Sequence, residues 1–347
     1  MTDTTTPRPA TAIRPRRATS YDVARAAGVA QSTVSRCFQD DSSISPETRE
    51  NVLRIAAELG YTRNAIARSL ITQRSNMICV VASKFTMRNN PELIFLLGAA
   101  LRNHGMSLLL VVAENDAAVS DSLKEAFEYP LDGIVCCSAM PRADAERFIK
   151  RGVPVVYFNC QVDFAHVDCI GTDNARAAGQ LAETLVEAGH RRFLCMGGPE
   201  WGPVSRTRAE AFLARLSALR IRDVDVVPGN SSYDGGREAF RDIAASISRP
   251  DAVFCVNDQL AMGVMDACRF DLGWRVPDDI SVVGFDDIPE SARPTYDLST
   301  VRQHVEIMAE RAVEMLRLRL ADPGRPGESV LIGGQLIVRS SARMAIR

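Results

Sequence analysis

The stretch 21–36, YDVARAAGVAQSTVSR, leaves the chain few choices of fold. Val23, Ala24 and Ala27 recur at helical spacing, Gly28 supplies a chain reversal, and Val34 with Phe38 restarts an apolar stripe after a two-residue gap. Helices this short cannot stand alone, so a third must cover them. It starts at Ser45, Pro46 and Glu47, which offer a capping hydroxyl, a proline at the first helical position and an acid in the first turn. Val52, Ile55, Ala56 and Leu59 predict its inward face, and Gly60 its end. Thr19, three residues before Asp22, predicts the cap of the first helix. In the second helix Gln31, Ser32, Ser35 and Arg36 share the face opposite Val34 and Phe38. That face can enter a major groove, with Arg36 on a guanine edge or a phosphate, or it can be an ordinary solvated face.

From residue 78 the texture changes. Short apolar runs at 78–82, 107–113, 133–139, 153–159, 192–198, 252–257 and 280–287 alternate with amphipathic helical patterns. Continuous apolar strands in such alternation predict parallel sheets covered on both faces. About 270 residues exceed one sheet, and the series restarts after Asp173 and Asn174, so two doubly wound subdomains are expected. Ligands of open α/β sheets sit at the carboxyl ends of strands. Polar residues occur there repeatedly: Ser83, Asn159, Asp173, Asn257 with Asp258, and Asp286 with Asp287. Each can contact a ligand or simply cap the next helix, and acceptors and amides in a cleft suit a neutral, polyhydroxylated molecule, with an anionic one countered by Arg208 as the alternative.

Charge and composition narrow the function. The net charge is −2, yet residues 1–75 hold 11 of the 41 Lys/Arg and only 7 of the 43 Asp/Glu, a basic end on an acidic body. Nine cysteines, an odd number scattered through apolar runs without CxxC or Cys/His spacing, predict reduced core residues and no metal. No apolar run reaches the eighteen or so residues of a membrane helix, and none precedes Tyr21 as a secretion signal would, so a cytoplasmic protein is expected. GxSxG, Walker and HExxH patterns are absent from the sequence, and the four histidines are scattered, so neither an enzyme nor a cofactor is expected.

YDVARAAGVAQSTVSR, SPETRENVLRIAAELGY and NAIARSL together resemble the headpiece and hinge of the LacI/GalR family of bacterial transcription regulators, with GTDN, VNDQLAMG, GFDD and STVRQ following in family order. Residues 1–17, rich in Thr and Pro, have no apolar face to bury and are expected to form a disordered tail, and the resemblance implies an α/β protein with a helix-turn-helix headpiece at 18–62 behind it. A hinge helix or linker follows at 63–76, then a body at 77–347 of periplasmic-binding-protein type. Its two subdomains are expected at 77–173 with 303–321, and at 174–302 with 328–341. It implies a repressor of pseudo-palindromic operator DNA that works as a homodimer bound to the nucleoid, and a sugar-like effector between the lobes. A solute-binding receptor or an enzyme on the same fold is the alternative.

DNA contacts are implied for Thr19, Tyr21, Gln31, Ser32, Thr33, Ser35, Arg36, Asn64, Ala67 and Leu70, with Leu70 as a minor-groove wedge. Effector contacts are implied for Ser83, Asn159, Asp173, Arg208, Tyr233, Asn257, Asp286 and Gln303. Three departures stand out: Ala30 where a capping Ser is usual, Asn159 in place of an Asp, and Val305 where an aromatic sometimes stands. The chain ends without a leucine-heptad tail, so a dimer rather than a tetramer is expected.

Overall fold

The computed structural model describes residues 18–38, 44–62, 74–160, 162, 166–197, 202–228 and 230–344. The chain divides into two compact units between Ser75 and Asn76. The first contains α1 (Ser20–Ala27), α2 (Gln31–Cys37) and α3 (Pro46–Glu58). A reciprocal capping box opens α1: Thr19 Oγ1 accepts from the Asp22 amide, and the Asp22 carboxylate accepts from the Thr19 amide at 2.9 Å. Gly28, at φ 65°, closes it in the left-handed conformation that glycine adopts without penalty. Ser45 caps α3, with Pro46 behind it.

The core of this unit is small, formed by Val23, Ala24, Val34, Cys37, Val52, Ile55 and Ala56, with Phe38 edge-on to Tyr61 at 5.9 Å. Leu59 departs from the expected inward face. It is the C-cap of α3, where the chain leaves the helical path, and it is 43% exposed. Tyr61 packs against the core after it.

The second unit opens with β1 (Met77–Ser83), β2 (Ser107–Ala113), β3 (Gly133–Cys136), β4 (Val155–Phe158) and β5 (Asp168–Thr172), all parallel. Alternate residues of β1 feed two separate cores. Ile78, Val80 and Ala82 pack with α5 (Leu93–Asn103) and α12 (Val305–Ala321), whereas Cys79 and Val81 pack with α6 (Val119–Ala126) and α7 (Arg142–Lys150). That division is why the strand reads as an unbroken apolar run. A second parallel sheet follows, of β6 (Arg192–Gly197), β7 (Asp223–Pro228), β8 (Ala252–Cys255) and β9 (Ser281–Val283), ordered β7-β6-β8-β9. The half-exposed edge strand β7, DVDVVP, lacks the continuous apolar run that marks its neighbours.

The chain then returns. β10 (Thr300–Arg302) leads into α12, which packs on the first sheet, and β11 (Ser329–Ile332) pairs in parallel with β5 as that sheet's sixth strand. β12 (Gln335–Ile337) then pairs antiparallel with β10. Residues 328–332 therefore belong to the first lobe and not, as the sequence suggested, to the second. The cause is a buried ion pair: Arg319 of α12 grips Asp168 of β5 through Nη2 at 2.8 Å and Nε at 3.2 Å, and Asp168 also accepts from the Glu328 amide. The chain thus passes from the first lobe back to the second at Gly333 and Gly334, where a side chain on Gly334 would strike Val301.

Candidate functional site

In the small unit the polar face of α2 forms as its phase requires. Ser32, Ser35 and Arg36 are exposed and Thr33 is half-buried. Gln31 sits at the border: its Nε2 donates to Ser20 Oγ at 3.2 Å, which ties the start of α2 to the start of α1. Tyr21 is 68% exposed, and Thr19 is engaged in its capping box. Ala30, extended at ψ 149°, gives α2 no side-chain cap. Asn64, Ala67 and Leu70 lie outside the described residues.

In the large unit a cavity of about 90 Å³, room for several water-sized groups, is lined from both lobes. The first lobe contributes Phe85, Asn89, Leu93, Asp116 and Phe158, and the second Ser205, Arg208, Asn257 and Asp286. Arg208 projects from α9 (Pro203–Ala218) and is 3% exposed. Its Nη1 donates to Asp286 Oδ1 and to the Val256 carbonyl, each at 2.8 Å, and its Nε to Asn174 Oδ1 at 2.7 Å. The guanidinium lies 3.8 Å from the centre of the Phe285 ring.

Asp286 Oδ1 also accepts from Gln303 Nε2 at 2.6 Å. Gln303 Oε1 in turn accepts from Asn159 Nδ2 at 3.0 Å and Thr172 Oγ1 at 2.8 Å. A continuous network therefore runs across the cleft from Arg208 and Asp286 through Gln303 to Asn159 and Thr172. Burial pushes the Asp286 carboxyl up to about 6, against the pull of Arg208 and Gln303. Asp258, fully buried behind it, is lifted to about 7 by burial and by the Asp286 charge.

The expected contacts divide. Asn159, Arg208, Asn257 and Asp286 line the cavity, and Gln303 backs it. Asn257 is at the same time the cap of α11 (Asp258–Asp266), its Oδ1 accepting from the Leu260 amide at 2.9 Å. Ser83, Asp173 and Tyr233 are not part of the lining. Ser83 is wholly buried as the cap of α4 (Lys84–Asn89). Asp173 caps α8 (Asn174–Glu187) and faces an adjoining cavity of about 140 Å³. The Tyr233 hydroxyl, expected beside a ligand, instead donates to Asp266 Oδ2 at 2.6 Å, a carboxylate it shares with Tyr296. Asp287 likewise turns away from Asp286, toward Arg302 and Arg339.

Phe85, Asn89, Leu93 and Asp116 carry no strand-end signal in the sequence. They stand on α4, on α5 and in the turn after β2, and only folding brings those faces to the cleft. Among the described residues no helix is long and apolar enough to cross a membrane.

Residues 19–64 match the model of bacterial regulatory proteins, lacI family, and residues 182–342 that of the periplasmic binding protein-like domain. The ribose operon repressor of Escherichia coli (strain K12) is 30% identical over 331 residues, spanning 94% of this chain and 100% of the relative. Among solved structures, the lac repressor dimer bound to operator and the anti-inducer ONPF aligns with a TM-score of 0.84 at 25% identity, covering 95% of this chain and 100% of the other. The complex of the transcriptional regulator CelR with cellobiose aligns at 0.68 and 27% identity, covering 94% and 100%.

Proposed function

Because the chain belongs to the lacI family of bacterial regulatory proteins, we propose that it is a sequence-specific DNA-binding repressor whose hold on its operator is set by a sugar-like molecule in the interlobe cavity. The observation that carries the effector reading is the Arg208 and Asp286 pair at the cavity wall. Asp286 Oδ1 is occupied by Arg208 and Gln303, while Oδ2 and Arg208 Nη2 make no hydrogen bond among the described residues. One free acceptor beside one free donor suits a sugar hydroxyl, which both gives and takes a hydrogen bond. Asn257 completes this half of the site and Asn159 reaches it from the first lobe, with Gln303 holding Asp286 in place. The sugars that name these relatives, ribose and cellobiose, support the ligand class.

On the DNA side, residues 18–62 form the reading head. Ser32, Thr33, Ser35 and Arg36 face the major groove, with Gln31, Tyr21 and Thr19 at its margin and Asn64, Ala67 and Leu70 in the connecting segment. Two copies are needed to read the two halves of a pseudo-palindrome. Phe95 and Phe270, 71% and 70% exposed on the body, suit a surface covered by the second copy. The chain acts by binding and not by catalysis. Its buried acid Asp258 is held by Thr300 and the Ile288 amide, which supports a structural use, while Asp286, held by Arg208 and Gln303, keeps one oxygen for a bound ligand.

Selection of binding sites from random duplex DNA by the full chain, followed by titration with ribose, cellobiose and related sugars, tests the reading. A pseudo-palindromic site should be enriched, and a sugar should change its affinity. Asp286→Ala should abolish that response and leave sugar-free operator affinity nearly intact. No enriched site would sink the regulator, and an undiminished response in the variant would sink this effector site.

A further inference from the structure

The first-lobe half of the cavity carries two polar atoms whose isolation has no internal explanation. Thr86 and Ser138, also on this wall, are satisfied by one another, by the Cys137 carbonyl and by the Ser83 amide. Asn159 and Asn257 are likewise engaged. Asn89 is 7% exposed and donates through Nδ2 to the Phe85 carbonyl at 2.9 Å, but its Oδ1 is buried with no partner among the described residues. Asp116 Oδ1, in the turn after β2, is buried and equally without a partner. Both are acceptors on residues that line the same cavity, each oxygen covered by its neighbours in this arrangement. A buried acceptor left empty costs about 1–3 kcal/mol, so the arrangement is expensive unless something donates to it.

Charge points the same way. Among the described residues, the charged side chains lining the cavity are Asp116, Arg208 and Asp286. Arg208 and Asp286 neutralise each other at 2.8 Å, which leaves the Asp116 carboxylate unbalanced. An anionic group entering this space would meet a like charge in poorly solvated surroundings, where repulsion is weakly screened. Phe85, Leu93 and Phe158 supply apolar walls for the faces of a ring.

Resting on the assignment of this cavity to an effector, we infer that Asn89 and Asp116 form a donor-seeking subsite. It selects a neutral or amine-bearing sugar or polyol and rejects its carboxylated and phosphorylated counterparts. A turn of each side chain uncovers its Oδ1, and the ligand then gives hydrogen bonds to Asn89 Oδ1 and Asp116 Oδ1 at one end while Arg208 and Asp286 hold the other. An ammonium substituent at Asp116 strengthens the contact.

The test is a thermal-shift and calorimetric series on the full chain without DNA, using ribose with ribose 5-phosphate, and glucose and galactose each with the 2-amino sugar, the uronate and the 6-phosphate. A ligand that binds only the folded state raises the melting temperature. Rises confined to neutral and amino members are expected. A larger rise from any uronate or phosphate than from its neutral parent, or no rise from any neutral or amino member, overturns the inference. For the best ligand, Asn89→Ala and Asp116→Ala should each weaken binding about tenfold. Asp116→Asn, which keeps shape and one acceptor, should narrow the gap between the uronate and its neutral parent even if the alanine variants fold poorly. Unchanged affinities and an unchanged gap refute the subsite. These measurements use no DNA, so their failure leaves operator selection standing, and failed selection leaves them standing.

Discussion

Arg208 Nη1 stands 2.8 Å from Asp286 Oδ1 with both side chains under 5% exposed, joining a helix of the second lobe to the loop after its last sheet strand. Breaking a buried pair on one side leaves an uncompensated charge. Arg208→Ala is therefore expected to destabilise the body by about 3–5 kcal/mol, measured by urea unfolding. The double change Arg208→Met with Asp286→Leu should be milder than either single change, since it removes both charges together.

Asp258 predicts a pH dependence. Burial and the Asp286 charge lift its carboxyl to about 7 in the folded chain, whereas an unfolded aspartate titrates near about 3.9. Between those values the folded protein keeps a proton that the unfolded chain releases. The stabilising contribution is therefore complete below about pH 4 and is lost as pH rises through about 7. Asp258→Asn removes this dependence, so the variant should gain stability relative to the parent from about pH 4 to about pH 7. Parallel denaturation curves across that window would contradict the assignment.

Arg36 is the one long charged side chain among the exposed positions of α2. If it reads a base, Arg36→Ala should cost about 1–3 kcal/mol at the selected operator and little on random duplex. Fluorescence anisotropy on both DNAs decides, because equal losses would assign it to phosphate.

Ala30 leaves the start of α2 without a side-chain cap, although its extended backbone at φ −70° and ψ 149° is that of a capping residue. Ala30→Ser should therefore stabilise the headpiece by about 1 kcal/mol, seen as a higher melting temperature. No gain would mean that the new hydroxyl does not reach the amide of Thr33.

Gly263 marks a tight helix contact in the second lobe. A Cβ there would fall within the Tyr233 carbonyl oxygen, and one on Gly236 within that of Leu260, so α10 (Tyr233–Ala244) and α11 approach through paired glycines. Gly263→Ala should cost about 1–3 kcal/mol by overpacking, despite its better helix propensity. A neutral result in thermal unfolding would show that the helices separate freely.

Features set by neighbours along the chain were legible from the residues alone. The capping box of Thr19 and Asp22, the left-handed Gly28, the Ser45 and Pro46 start of α3 and the apolar runs of β1, β2, β6 and β8 each depend on a few adjacent positions. So did the conclusion that some strand ends face a ligand cleft, which follows from parallel topology. Which of them do so was decided by folding. Ser83 and Asp173 have the local signature of Asn257, a polar residue before a helix, yet only Asn257 lines the cavity, since a cap and a contact look alike in sequence. Tyr233 was drawn away by Asp266, 33 residues on, and residues 328–332 by Arg319 and Asp168, which are 151 apart. Asn89 and Asp116 gave no signal, because an unpartnered acceptor is a property of the space around it. Backbone preferences and apolar periodicity act over a few residues and are written in the chain. Desolvation and charge pairing act through space and exist only once the lobes have packed.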